Sequence, residues 1–159
     1  MSTTLVELFP ESVILPDLQA QDKKEAIREI VRHLVTIERL PADAEKKAER
    51  AITKRETQGS TGIGKGLAIP HAKGCGFLDE IIGVFARSRT GLPFDSVDGG
   101  LVHVVFLVLS PKAAQDNHTQ LMKRIAKLLW DEKTLNYLAR DDELKSIYDI
   151  FKEVDESVG

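Results

Sequence analysis

The run LVHVVFLVL at 101–109 constrains the fold more than any other stretch, because it is apolar at consecutive positions and not at alternate ones. A strand that shows water on one face alternates, whereas a strand covered on both faces is apolar throughout. Nine residues fall far short of the ~20 needed to cross a bilayer. The run therefore predicts a buried central strand with helices over both faces. The flanking patterns agree. EIIGVFARS at 80–88 reads as a second buried strand, GLPFDSVDGG as the turn-rich connection, and SVILPDL at 12–18 as a strand that Pro16 shortens or places at an edge. The expected fold class is α/β, a single domain over residues 1–159 with a central β-sheet flanked by helices; nothing in the chain repeats or reads as a linker.

Helices are marked by period and by caps. Asp22 and Glu25 have capping-box spacing, and Ile27, Ile30, Val31 and Leu34 follow as one apolar stripe, with Lys24, Arg28 and Arg32 on the solvated side. Pro41 suits the first turn of a second helix, with a stripe of Ala44, Ala48, Ala51 and Ile52, and Gly59 ends it. TLVELF at 4–9 reads as a short helix or turn. Past Pro111, Asp116 or Asn117 caps a helix from His118, whose buried face is Leu121, Ile125, Leu128 and Leu129. Asp131 caps a short helix through Leu135 and Leu138. Asp141 or Asp142 caps the last one, striped by Ile147, Ile150, Phe151 and Val154, and the terminal ESVG frays.

Between the second helix and the strands lies GSTGIGKGLAIPHAK, residues 59–73. Its glycines let backbone N–H groups approach an anion, Leu67, Ala68 and Ile69 read as an anchored strand, and Pro70 fixes the turn that presents His71. Such a held imidazole suits a nucleophile or a ligand. Arg55, in the last turn of the preceding helix, either complements the helix dipole or binds an anion. His103, inside the apolar strand, is read as a structural histidine.

The segment TGIGKGLAIPHAK, with Arg55 upstream in TKRETQGSTGIG and His118 in DNHTQLMKRIAKLL, resembles the phosphorylation site of the enzyme IIA domains of the bacterial phosphotransferase system, fructose/mannitol/nitrogen-regulatory class. The likeness runs from LVELFPESVIL to the last helix. It implies a mixed sheet and a phosphotransferase in which His71 accepts a phosphoryl group, on Nε2, from a histidine phosphocarrier protein. Arg55 and His118 would support it, and the acceptor would be a IIB component, or a transporter or kinase regulated by binding. A purely regulatory module switched by histidine phosphorylation is the alternative.

The chemistry of the residues is compatible with this. An attacking imidazole must be neutral, and the transferred group carries charge that wants fixed donors: a guanidinium, an imidazole N–H, and amides of the 59–66 loop. Two carriers must also touch, and Ile63, Leu67 and Phe94 are the expected apolar contact surface.

Other functions fit less well. GSTGIGKG nearly spells a nucleotide phosphate loop, but Gly66 stands where the magnesium-binding hydroxyl belongs, and the loop leaves a helix for a strand instead of the reverse. His71, Cys75, Asp116 and His118 lack the spacing of a metal site, so neither cofactor nor metal is expected, and Cys75 reads as a small filler. With 22 basic and 25 acidic residues the net charge is −3, which favours neither nucleic acid nor an anionic membrane. The N-terminus has no secretory pattern and the lone Cys75 makes no intrachain disulfide, so a cytoplasmic location without membrane insertion is expected.

Overall fold

The computed structural model describes residues 4–127, 131–140 and 144–158. In chain order the elements are α1 (Leu5–Leu8), β1 (Ile14–Leu15), α2 (Lys23–Thr36), α3 (Glu45–Thr57), β2 (Gly62–Gly64), β3 (Leu67–Ala68), β4 (His71–Ala72), β5 (Ile82–Leu92), β6 (Val102–Leu109), α4 (Gln115–Ala126), α5 (Glu132–Arg140) and α6 (Leu144–Val158). The strands join in the order β1-β5-β6-β3-β2, and β4 continues the β3 edge along β6. The sheet is mixed. β1 runs parallel to β5, β3 and β4 run parallel to β6, and the β5–β6 and β2–β3 pairs are antiparallel.

The apolar run does become the central strand. Along β6, Val105, Leu107 and Leu109 face one way and pack with Ile27, Ile30, Leu34, Ala48 and Ile52 of α2 and α3. Val104, Phe106 and Val108 face the other way, against residues of α1, α4, α5 and α6. Phe9, Phe85, Phe106 and Phe151 tile this second face, with ring centroids 5.1 to 5.8 Å apart and mostly edge-on. Both faces are thus covered, and Arg87 of β5 crosses one of them, its Nε–H donating to Pro16 O at 2.9 Å and its Nη1–H to Leu138 O at 3.3 Å. Among the described residues no helix is long and apolar enough to cross a membrane.

Several boundaries depart from expectation. Only Ile14–Leu15 of 12–18 pairs as strand, because Glu11–Val13 winds into a 3₁₀ turn. Pro41 precedes a 3₁₀ turn, Ala42–Ala44, and α3 begins at Glu45. Lys112–Ala114 forms a similar turn, so α4 starts at Gln115, ahead of the expected Asp116 or Asn117 cap, and His118 lies inside its first turn. Asp131 does cap α5, accepting from the Thr134 N–H at 3.0 Å. The expected caps Asp141 and Asp142, and Leu128 and Leu129, lie outside the described residues. α6 runs through Val158 where fraying was expected.

Candidate functional site

The glycine-dense segment folds as a β-hairpin. Gly62–Gly64 pairs with Leu67–Ala68 across Lys65 and Gly66, whose φ values of 55° and 80° are both left-handed; glycine at the second position makes that tight turn inexpensive. Three amides in and beside the hairpin are taken up by protein acceptors. The Thr61 N–H donates to Glu56, the Gly62 N–H to Ser60 Oγ at 3.0 Å, and the Lys65 N–H to Asp98 Oδ2 at 2.9 Å. These three amides are therefore not open to an anion as the reading of residues 59–66 expected; they fix the shape of the loop.

What the hairpin leads into is β4, a two-residue strand beside Val108 and Leu109 of β6. Pro70 bends the chain so that His71 Nδ1 comes to 2.8 Å from the Ile69 carbonyl. A carbonyl only accepts, so Nδ1 carries the proton, and in the neutral ring Nε2 holds the lone pair. His71 is half-buried. Burial pushes its pKa below the usual 6.5, and the Arg55 and Lys73 cations push the same way, against the opposing pull of the Ile69 carbonyl and Glu56. The ring is thus neutral near pH 7.

The His118 ring centroid lies 5.3 Å from that of His71, the planes inclined by 47°. His118 is buried, and burial together with the nearby His71 and Lys73 lowers its pKa to about 4. Its Nδ1 is 2.5 Å from Ser110 Oγ, while its buried Nε2 has no hydrogen-bond partner among the described residues. Arg55 reaches His71 through its charge. Its Nη1–H donates to Gly59 O at 2.9 Å, so it satisfies a carbonyl just past the end of α3 while its charge acts on His71. The two sequence readings of Arg55, helix-end complement and cation near an anion site, are compatible in one geometry.

The structure thus brings together His71, His118 and Arg55, and adds groups that the sequence reading passed over. Lys73 is two residues beyond His71, and i, i+2 spacing along an extended segment puts both on one side. Its exposed side chain borders a 350 Å³ cleft with Gly74, Gln115, Asp116 and Thr119, at the start of α4. Glu56 extends the buried stripe Ala48, Ile52 at i+4, so the period itself marked it as buried. It pairs with Lys23 Nζ at 2.9 Å and accepts from both the N–H and the hydroxyl of Thr61, tying α2 and α3 to the base of the hairpin.

Two of the expected contact residues are elsewhere. Leu67 and Phe94 are buried in the core, the latter with Lys23 Nζ 4.8 Å above its ring, and only Ile63 is partly exposed. An exposed apolar side chain against the hairpin is Val97, whose N–H donates to Gly62 O at 3.0 Å. His103 is structural in kind, its Nδ1–H donating to Ser88 O at 2.9 Å, and the Cys75 thiol is buried against Ala72 O.

Residues 7–154 match the family model for the phosphoenolpyruvate-dependent sugar phosphotransferase system, EIIA 2. The chain is 34% identical over 146 residues to a nitrogen regulatory protein of Bradyrhizobium diazoefficiens, covering 92% of this chain and 93% of that protein. It is 32% identical over 151 residues to the fructose-specific EIIABC component of Bacillus subtilis, covering 95% of this chain and 23% of that larger protein. Among solved structures, the nitrogen regulatory protein IIA-Ntr from Neisseria meningitidis has a TM-score of 0.84 at 26% identity, covering 92% of this chain and 98% of that one. The fold is also that of enzyme IIAMTL in its complex with phosphorylated enzyme IIBMTL from Escherichia coli, with a TM-score of 0.75 at 20% identity and 92% and 99% coverage.

Proposed function

Because the chain belongs to the EIIA 2 family of the sugar phosphotransferase system, we propose that it is a phosphocarrier in which His71 takes a phosphoryl group from a phosphohistidine carrier protein. The observation that carries this reading is the His71 ring itself. It is neutral, tethered through Nδ1–H to Ile69 O, and has Nε2 free to attack. In the transfer a new N–P bond forms at Nε2, the donor's N–P bond breaks, and the bonding pair returns to the donor's ring nitrogen. No proton has to cross between the two rings while each keeps an N–H on its other nitrogen. Charge on the moving oxygens is met by Arg55 and Lys73, and the His118 ring is close enough to offer an N–H. Residues 1–159 act as one such domain, and Ile63 and Val97, on and against the β2–β3 hairpin that leads to His71, are its apolar contacts with partners.

The phosphoryl group then passes to a IIB-type partner or serves as a switch. Relatives with both kinds of name match this chain, so the two outcomes need separating by experiment. Incubation with a phosphorylated carrier protein, followed by mass mapping, is expected to place one phosphoryl group on His71 and none on a His71→Ala protein. Chasing the charged protein with IIB components separates the roles: discharge by one of them marks a carrier, and retention with phosphorylation-dependent binding to a transporter or kinase marks a regulator.

A further inference from the structure

We infer that Ser110 is a positioning residue that sets the tautomer of His118, holding its proton on Nε2 and so making that nitrogen a hydrogen-bond donor in the ring that stands 5.3 Å from His71. Ser110 is fully buried at the end of β6. Its backbone is pinned on both sides, its N–H donating to Ala72 O at 3.0 Å and its carbonyl accepting from the Cys75 N–H at 2.9 Å. The residue that anchors it, Ala72, is the neighbour of His71, so the hydroxyl and the acceptor imidazole are held by the same two-residue strand.

The hydroxyl and His118 Nδ1 are 2.5 Å apart, and one proton lies between them. Two arrangements are open to a neutral ring. If Nδ1–H donated to Ser110 Oγ, the serine would have to send its own proton to another acceptor, and among the described residues Oγ has His118 as its hydrogen-bond partner. Nε2 would then present a buried lone pair, which also lacks a partner. If Ser110 O–H donates to Nδ1, the hydroxyl is satisfied and the sole group left waiting is the Nε2–H. The second arrangement leaves fewer buried polar groups unmet and turns the remaining one into a donor for an incoming anion. The low basicity of this ring, which burial enforces, keeps it from holding a second proton.

The functional half of this inference rests on His71 being the phosphoryl acceptor; the structural half does not. Ring-nitrogen NMR of the unphosphorylated protein with ¹⁵N-labelled histidine reads the tautomer directly. His118 is expected to show Nε2 protonated and Nδ1 not; the reverse pattern overturns the proposal. Ser110→Ala is expected to lose the single-tautomer signature and to slow phosphoryl acceptance about tenfold with an unchanged KM for the carrier, the effect of one lost hydrogen bond acting through His118. Ser110→Thr is expected to restore both. An unchanged tautomer and rate in Ser110→Ala count against the proposal, and if that variant does not fold, the wild-type and Ser110→Thr spectra still decide it. If His71 takes up no phosphoryl group at all, the acceptor reading fails while the tautomer measurement stands by itself.

Discussion

Acidification below pH 6.5 protonates His118 in the unfolded chain well before it protonates the folded one. The folded ring is held at about 4 by burial first, then by His71 and Lys73. Between pH 6.5 and about 4 the unfolded state binds the extra proton, so stability contributed by the neutral ring is complete above 6.5 and drains away as pH falls through that window. At about 1.36 kcal/mol per pH unit the full interval amounts to at most about 3–4 kcal/mol. Screening of the His71 and Lys73 charges by solvent, Lys73 being exposed and His71 only half-buried, brings the expectation to about 2 kcal/mol. The assay is urea denaturation of wild type and His118→Leu across pH 4 to 8. His71 is retained in both, so its own slope largely cancels, and the hydroxyl of Ser110 left without its acceptor adds an offset that does not vary with pH. The wild-type curve should fall relative to the variant by about 2 kcal/mol from pH 7 to pH 4. Parallel curves would refute the argument that His118 is a buried neutral base.

Three other perturbations follow from the same geometry. Lys73→Ala is expected to raise the pKa of both His71 and His118, because the ammonium lowers each, and to slow phosphoryl acceptance in a way that added salt diminishes; NMR titration of the ring protons checks the first and transfer kinetics the second. Glu56→Ala leaves Lys23 and the Thr61 donors without their shared buried acceptor and should cost about 3 kcal/mol in denaturant unfolding, Glu56→Gln recovering part of it. Gly83→Ala would set a Cβ 2.8 Å from the Phe9 ring and 3.0 Å from Leu107 O, and is expected to lower stability by about 1–3 kcal/mol, seen as a shifted urea midpoint with an unchanged slope.

The parts of the fold that were legible in the sequence are those where one local rule acts without competition. α2 carries the expected N-cap, the Glu25 N–H on Asp22 at 2.8 Å, while the Glu25 carboxylate reaches one residue past the cap to the Gln21 N–H at 3.0 Å, and its stripe is buried as the period requires. The run 101–109 needed only its lack of alternation. Elsewhere longer-range pairing decided. Val13 is a strand-forming residue, but the β1–β5 ladder takes in only Ile14 and Leu15, so Val13 had no strand to pair with and joins the 3₁₀ turn. The 59–66 glycines pointed to an open anion loop because local composition cannot tell a free amide from one engaged by Asp98 or Glu56, which are supplied by distant or turned-away positions. His71 was marked by its own local sequence and Arg55 by its place at a helix end, His118 through family resemblance, and the structure brings the two histidine rings to 5.3 Å with the Arg55 charge acting on His71. Lys73 and Glu56 were marked by strand and helix periods that went unread, whereas the partnership of Ser110 with His118 depends on where a 3₁₀ turn releases α4.

The account turns on which atom bears the phosphoryl group, and ³¹P–¹⁵N coupling in the charged, ring-labelled protein reads that atom. It should report a single P–N bond at His71 Nε2, with Nδ1 still protonated toward Ile69 O. Phosphorus bonded to Nδ1, or carried by His118 or another residue, would contradict it.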